Sequence, residues 1–230
     1  RLANALREHG LKRGSRAAIL LPNCMEAVVT IFAVVKSGGT FVVINSSTKE
    51  QKLLYMLNNC QAHTVITDAR HSALIGSLKL QASSLHTVVL TGSTESLDLT
   101  GTGAFTYESI QAQYAADRPQ KVSIDLDLAC LIYTSGSTGE PKGVMSDHGN
   151  VDFATGSIIS YLENVQDDIV IGLLPLSFYY GRYQLLMTFK FCGTLVLERG
   201  FAYPAVILKR IEEEHVTGLP GVPTLFAVLV

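Results

Sequence analysis

Hydrophobic positions along this chain follow helical and extended periods in turn, almost from the first residue. A first helix is predicted by four residues at helical spacing, Leu2, Ala5, Leu6 and His9. Gly10 is typical of the position where a helix stops. The apolar run Arg16–Leu21 then ends at Pro22, which predicts a short strand buried on both faces.

Cap residues predict where the next two helices begin. Asn23 precedes an apolar stretch that runs through Val35 to Gly38-Gly39, so we expect it to cap that helix. Ser47 and Glu50 have the spacing of a capping box for a helix that ends near Asn59. Similar patterns predict strands at Thr40–Ile44, His63–Thr67, Thr87–Leu90, Leu128–Tyr133, Asp168–Leu174, Thr194–Glu198 and Val216–Leu219, and helices at Ser72–Leu80, Gly149–Leu162, Gln184–Phe191 and Tyr203–Glu214.

Repeated strand–helix–strand units of this length favour an α/β fold, with parallel strands joined by helical crossovers. Residues 91–127 interrupt the series, because they are polar and carry little periodicity. We interpret them as a surface connection with one short helix near Tyr107–Tyr114. The chain is thereby predicted to have two approximate halves, residues 1–120 and 121–230.

Composition narrows the class of protein. Hydrophobic residues make up 47% of the 230 residues and charged residues 17%, which excludes a disordered chain. A net charge of -2 gives no electrostatic sign of nucleic acid or an anionic membrane as partner. No apolar run is long enough to span a bilayer.

The four separated cysteines lack metal-site spacing, which favours reduced thiols in a cytoplasmic protein. The start at Arg1, inside a predicted helix, leads us to interpret the sequence as a fragment.

The candidate chemistry lies in the run Tyr133-Thr134-Ser135-Gly136-Ser137-Thr138-Gly139-Glu140-Pro141-Lys142-Gly143. A buried strand leads directly into it, and a glycine-rich turn exposes backbone N–H groups that can bind phosphates. The hydroxyl groups add donors and Lys142 adds a positive charge. A flexible Ser/Gly linker is the simpler alternative, but a linker needs neither a buried strand before it nor this mixture of residue types.

The loop differs from a Walker P-loop. That pattern requires a second glycine after four intervening residues, then lysine and a hydroxyl residue. Counted from Gly136, Pro141 takes the place of the second glycine, and Gly143 takes the place of the hydroxyl that binds magnesium. We therefore expect a nucleotide to be held in a different way.

Tyr133–Gly143 resembles the phosphate loop of AMP-forming acyl-CoA synthetases and the wider adenylating superfamily, which includes luciferases and peptide-synthetase adenylation domains. Leu20–Asn23, Ala33–Asn45, Pro175–Gly181 and Gly218–Phe226 are similar to further family segments. The likeness covers nearly the whole chain and corresponds to less than half of a typical member. It implies that the chain is the N-terminal portion of such an enzyme and part of its large α/β domain.

The resemblance also implies a reaction. The carboxylate of a small-molecule acid would attack the α-phosphate of ATP, and coenzyme A or a phosphopantetheine on a carrier protein would then accept the acyl group. Thr134, Ser135, Gly136, Ser137, Thr138, Gly139 and Lys142 would bind the nucleotide phosphates. Lys142 and Thr134 would act in catalysis, with Thr134 near Mg²⁺. His148 would be structural, close to a helix start.

An acyl pocket is expected at Phe178, Tyr179, Tyr180 and Gly181, because Pro175–Gly181 resembles the segment that lines it in the family. From the residues alone, core aromatics after a strand are an equal alternative. Many acyl- and aryl-CoA members carry His where Phe178 stands, and amino-acid-activating members carry Asp at the position of Tyr179. Tyr cannot supply the negative charge that pairs with the ammonium group, so an acyl or aryl acid is favoured. Arg182 is expected at the surface.

Three functions remain open at this point: an acyl- or aryl-CoA synthetase, an adenylation domain that loads a carrier protein, and a non-catalytic paralogue that keeps the fold. An intact loop with Lys142 favours an enzyme. The family's later motifs do not occur before Val230, so residues 1–230 alone are expected to be inactive. The patterns predict no particular oligomeric state.

Overall fold

The computed structural model describes residues 1–92, 103–134 and 139–229. The chain forms two compact units. Unit 1 comprises Arg1–Leu21 and Glu26–His148, and unit 2 comprises Pro22–Met25 and Gly149–Val230. The units divide at His148, later than the approximate halves that we inferred around residue 120. One partial adenylation domain over residues 1–230 stays a prediction.

Unit 1 is built on a sheet that has seven strands among the described residues, in the order β5-β4-β3-β1-β2-β6-β7. All neighbouring pairs are parallel except β6 and β7. The strands are β1 (Arg16–Leu20), β2 (Thr40–Val43), β3 (Ala62–Asp68), β4 (Thr87–Thr91), β5 (Ala104–Thr106), β6 (Leu128–Thr134) and β7 (Lys142–Asp147). The helices are α1 (Leu2–Glu8), α2 (Met25–Ser37), α3 (Glu50–Asn59), α4 (Ser72–Lys79) and α5 (Tyr107–Gln113), with a short 3₁₀ helix at Ala69–His71.

The core of unit 1 lies where α3 and α4 cover one face of this sheet. Its buried cluster includes Leu57 and Leu78 from the helices, and Leu20, Val65 and Leu90 from the strands. Fully burying a side chain of this size contributes about 1.5–3 kcal/mol. The hydrophobic runs in the sequence correspond to parallel strands of this sheet, as expected for strands that are covered on both faces. The predicted α/β class is confirmed.

Unit 2 has a smaller sheet, in which β8 (Ile169–Gly172) and β9 (Thr194–Leu197) run parallel. Four helices complete its described part: α6 (His148–Leu162, whose first residue belongs to unit 1), α7 (Tyr179–Lys190), α8 (Pro204–Glu213) and α9 (Pro223–Leu229). Its buried cluster contains Ile171, Leu173, Val196, Ile207 and Leu225. The strand that we predicted at Val216–Leu219 is wrong, because Gly218 makes an isolated bridge to Val170 and no ladder follows.

Both predicted helix caps are wrong. Helix α2 begins at Met25, and the carboxamide of Asn23 bonds instead to residues more than a hundred positions away. Helix α3 begins after Lys49, with no side-chain cap bond. The N–H and hydroxyl of Ser47 both donate to Asn45 Oδ1, at 2.9 and 2.8 Å, so a local turn satisfies Ser47.

Candidate functional site

A β-hairpin carries the glycine-rich loop. Strands β6 and β7 are antiparallel, and Thr134 at the end of β6 pairs in register with Lys142 at the start of β7. Ser135, Gly136, Ser137 and Thr138 lie outside the described residues, so their predicted roles stay predictions. Gly139 has φ +102°, a conformation that favours glycine. The hairpin thus brings the hydroxyl of Thr134 and the ammonium of Lys142 to the two ends of one short loop.

Lys142 belongs to strand β7, whereas the sequence placed it in the loop and predicted no strand between the loop and the helix at Gly149–Leu162. The side chains of Thr134 and Lys142 are exposed. Among the described residues, Lys142 forms no ion pair. An exposed ammonium group at a fixed strand position can meet a phosphate without first breaking a salt bridge.

Tyr133 anchors the end of β6 immediately before the loop. Its hydroxyl donates to Asn59 Oδ1 at 2.6 Å, and the carbonyl oxygen of Met56 lies at 3.3 Å. Burial raises the pKa of the Tyr133 phenol, which keeps it protonated as a donor. The sequence placed Tyr133 in the loop motif without assigning it a role. Its contact with α3, 74 residues earlier, had no local signal.

Cys60 lies beside Tyr133, and its thiol is expected to be unreactive. Burial raises the pKa of its thiol from 9.0 to about 11, so the thiolate needed for nucleophilic chemistry is scarce at neutral pH. All four cysteines lie within the described residues and are reduced thiols; Cys60 and Cys130 are buried, whereas Cys192 is exposed. We therefore assign no chemistry to Cys60.

The aromatic segment of unit 2 forms a second candidate region, at the C-terminal end of β8. Within residues 1–230, Phe178 is 64% exposed, Tyr179 48% and Tyr180 41%, so these rings do not belong to the buried cluster of unit 2. Gly181 is buried. Ligands of open α/β sheets bind beyond the carboxyl ends of the strands, so the position suits a pocket wall.

Helix α7 begins at Tyr179, five residues earlier than the predicted helix at Gln184. Tyr179, Tyr180 and Gly181 therefore form the first turn of this helix. The ring centroid of Tyr179 lies 4.6 Å from that of Tyr183, which is itself buried. One face of the Tyr179 ring is thereby held in place.

The surface position that we predicted for Arg182 is wrong, because its exposed fraction is 1%. The early start of α7 places Arg182 within the buried first turns of the helix. Its guanidinium carbon lies 5.5 Å from the centroid of the Tyr179 ring, within cation–π distance. A buried positive charge therefore lies directly behind one of the candidate pocket residues.

Neither metal clusters nor spanning helices mark the described part of the chain. Within residues 1–92, 103–134 and 139–229, no group of three or more His, Cys, Asp or Glu side chains could hold a metal ion. In the same ranges, no helix is long and apolar enough to cross a membrane.

Residues 1–230 match the sequence model of the family described as AMP-binding enzyme, so the chain belongs to this family. The resemblance inferred from the Tyr133–Gly143 loop is thereby confirmed.

Relatives include acyl-CoA synthetases and peptide synthetases. The chain is 30% identical over 232 residues to a feruloyl-CoA synthase from Amycolatopsis sp, a match that covers 100% of this chain and 43% of that protein. It is 31% identical over 235 residues to tyrocidine synthase 3 from Brevibacillus parabrevis, which covers 99% of this chain and 3% of that protein. This chain thus spans less than half the length of either relative.

Among solved structures, the ATP-bound MatB from Rhodopseudomonas palustris superposes with a TM-score of 0.84 at 26% identity. The match covers 99% of this chain and 43% of MatB. The fold described above is therefore one that has been observed with ATP bound in a relative.

Proposed function

We propose that the full-length protein uses ATP to convert a carboxylic acid into an acyl-adenylate and then transfers the acyl group to coenzyme A, as an acyl- or aryl-CoA synthetase. The observation that carries this proposal is the β6–β7 hairpin, in which Thr134 and Lys142 pair in register at the ends of the glycine-rich loop. Membership of the AMP-binding family supports the same reaction.

The loop would bind the nucleotide phosphates. Thr134 offers a hydroxyl, Lys142 an ammonium group and Gly139 a backbone N–H, which are donors suited to phosphate oxygens. The predicted set is completed by Ser135, Gly136, Ser137 and Thr138. Since phosphoryl chemistry depends on positioning and charge neutralisation, Lys142 and Thr134 would be the catalytic groups of this half of the site.

Mg²⁺ fits this loop as a companion of the nucleotide. The ion keeps several waters and is usually bound by substrate phosphates with a few protein oxygens. Among the described residues, the exposed hydroxyl of Thr134 is the predicted protein oxygen near it. When bound, the ion would offset the negative charge of the phosphates.

Phe178, Tyr179, Tyr180 and Gly181 would line the acyl pocket. Exposed aromatic rings at the start of α7 supply apolar area and flat faces for an acyl chain or an aryl ring. Tyr179 offers no negative charge to an α-ammonium group. The preferred substrate is therefore an acid whose tail is uncharged.

Trapping with hydroxylamine tests this assignment, because hydroxylamine converts an acyl-adenylate into a stable hydroxamate. The full-length protein would be given ATP, Mg²⁺ and one acid at a time from a panel of fatty, aryl and α-amino acids. We expect hydroxamates from fatty or aryl acids. A signal from α-amino acids alone would contradict the proposed substrate class.

A carrier-protein-loading domain is the second candidate, and the 31% identity to tyrocidine synthase 3 favours it. The two functions share the adenylate and differ in the thiol that accepts the acyl group. Thioester formation with coenzyme A, measured beside thioester formation on a phosphopantetheinylated carrier protein, separates them. Transfer to coenzyme A supports the first candidate, and transfer to the carrier alone supports the second.

A further inference from the structure

The side chain of Asn23 makes three hydrogen bonds to the backbone beside the candidate pocket. Asn23 is 6% exposed. Its Nδ2 donates to the carbonyl oxygens of Leu174 and Glu198, both at 3.0 Å, and its Oδ1 accepts from the N–H of Leu176 at 2.9 Å. Both donors and the acceptor of the carboxamide are therefore engaged by backbone groups of unit 2.

These hydrogen bonds lie just beyond the last paired residues of the small sheet. The β8–β9 ladder ends at Gly172 and Leu197, and the N–H of Glu198 donates to the carbonyl of Gly172 at 3.1 Å. Glu198 comes directly after that point, and Leu174 lies two residues beyond Gly172. The Asn23 carboxamide joins their two carbonyl groups, so the segment that leaves β8 is held to the end of β9 by a side chain.

The first turn of helix α7 packs closely against the same segment, Leu174–Leu176. A Cβ atom built on Gly181 would lie 2.5 Å from the carbonyl oxygen of Pro175 and 2.6 Å from that of Leu174. Real Cβ atoms do not approach backbone oxygens so closely, so the absence of a side chain at Gly181 permits this packing. The carbonyl of Pro175 also accepts the N–H of Phe178 at 2.9 Å. Leu174–Leu176 is thus held by Asn23 and by the start of α7.

We propose that Asn23 is a positioning residue for the acyl pocket: by fixing Leu174–Leu176, it sets where Phe178 and the first turn of α7 present their aromatic rings to the acid. The proposal rests on the proposed function, because it assumes that these rings contact the substrate. Loss of the carboxamide would leave two part-buried carbonyl groups and one buried N–H without this partner, and the segment would shift to recover hydrogen bonds.

The test is a steady-state comparison of full-length wild type with Asn23→Ala. We expect the KM for the preferred acid to rise by roughly 10- to 100-fold, the scale on which small misplacements act, while the KM for ATP changes by less than about two-fold. The order of preference among acids of different tail size should also change. A purely structural defect would lower the active fraction and leave both KM values unchanged.

Asn4→Ala is the matched control. Asn4 Nδ2 also donates to two backbone carbonyl oxygens, those of Ala115 at 3.0 Å and Asp117 at 2.9 Å, but it belongs to unit 1. This variant loses the same kind of bonds and should retain the wild-type KM for the acid. A similar rise in both variants would overturn the proposal.

Asn23→Asp is a second variant, and it decides the matter if Asn23→Ala does not fold. It keeps Oδ1 as the acceptor of the Leu176 N–H but loses both donations to the carbonyl oxygens of Leu174 and Glu198, so it should give the same acid-specific rise in KM. The proposal is overturned if the acid KM of a folded Asn23→Ala or Asn23→Asp enzyme equals that of wild type. Failure of wild type to form any adenylate would instead refute the proposed function, so the two failures are distinguishable.

Discussion

Helices α2 and α6 are similar in length, 13 and 15 residues, yet they are packed very differently. In unit 1, α2 buries seven residues: Ala27, Val28, Thr30, Ile31, Ala33, Val34 and Ser37. In unit 2, α6 buries Thr155, while Phe153 and Tyr161 are 78% and 85% exposed. Helices draw most of their stability from a buried face, so within residues 1–230 α6 gains less from packing than α2 does.

The same contrast holds for what fixes the two candidate regions. In unit 1, the candidate loop follows β6, a strand that pairs with β2 in parallel and with β7 in antiparallel and that contributes Leu131 to the large apolar cluster. In unit 2, Asn23 and Asp168 hold loops and strand ends through polar contacts to the backbone. Within residues 1–230, the candidate loop is therefore supported mainly by apolar packing, whereas the aromatic segment of unit 2 is supported in large part by hydrogen bonds to the backbone.

Equal truncations in the two cores test this difference, and the first should have the largest effect. Leu57→Ala, at a fully buried position of the unit 1 cluster, should lower the free energy of unfolding by about 2–5 kcal/mol, because it leaves a cavity in a close-packed core. Leu225→Ala, in the smaller cluster of unit 2, should lie at or below the bottom of that range. Urea unfolding followed by circular dichroism gives both values.

Hydrogen exchange of the same two variants shows where each change acts. Leu57→Ala should increase exchange in β1 and β3, and Leu225→Ala should increase it in β8 and β9. Equal costs with exchange spread over both units would contradict the view that the units differ in how they are stabilised.

Loss of the loop cation should be the largest effect on activity. Lys142→Ala should slow adenylate formation by about 10²–10³-fold, the loss typical of removing one preorganised group that stabilises developing charge. The factor should be the same for every acid, since the phosphates are common to all of them. The initial rate of hydroxamate formation measures it.

Lys121→Ala, at an exposed lysine of the same unit, is the control and should retain full activity. If the Lys142→Ala enzyme forms adenylate at the wild-type rate, Lys142 has no role in the reaction. A factor that differs between acids would show that unit 1 also contributes to acid selection.

Phe178→Ala should alter selectivity rather than the overall rate. Loss of an apolar pocket wall changes discrimination between tails of different size by about 10–200-fold in kcat/KM, and the KM for ATP should stay constant. Phe153→Ala, at another exposed phenylalanine of unit 2, is the matched control. A uniform decrease for all acids would place Phe178 outside the pocket.

The smallest expected effect concerns acid stability. Asp168 accepts hydrogen bonds from the Val165 N–H at 3.0 Å, from Asn164 Nδ2 at 3.1 Å and from the Thr217 hydroxyl at 2.9 Å. These bonds, first that from Val165, lower the pKa of Asp168 below its ordinary value of 3.8. A lowered folded-state pKa contributes stability that is present above pH 3.8 and is lost as the pH falls through the folded-state value.

Asp168→Asn should therefore weaken the pH dependence of exchange around Asn164–Ile169 between neutral pH and pH 3, with little change at β1 and β3. Hydrogen exchange corrected for the intrinsic effect of pH measures this. An unchanged acid profile in the variant would show that Asp168 does not stabilise unit 2.

The sequence predicted most elements of the fold because buried parallel strands are continuous apolar runs, as at Arg16–Leu20 and Thr87–Thr91. The sequence patterns did not predict strand β7, and the reason is physical. Lys142–Met145 is exposed, so the strand shows neither an apolar run nor alternation. Strand β5 has three residues, too few for a periodic signal.

The candidate site was predictable where its signal is local. The loop at Tyr133–Gly143 can be identified from eleven consecutive residues, whereas the hydrogen bonds of Asn23 span 151 to 175 positions. Its side chain had the local signature of a helix cap, and a tertiary contact overrode it. The burial of Arg182 was missed for a similar reason, since it depends on α7 beginning at Tyr179.

ATP–pyrophosphate exchange in the full-length protein shows whether the loop binds ATP phosphates for the activation of a carboxylic acid. The exchange is measured without any thiol, with and without the acid that gives the strongest hydroxamate signal. We expect exchange that requires the acid and Mg²⁺ and that falls by about 10²–10³-fold in Lys142→Ala. Exchange that is absent with every acid tested, or that is equally fast without acid, would refute the proposed activation of a carboxylic acid.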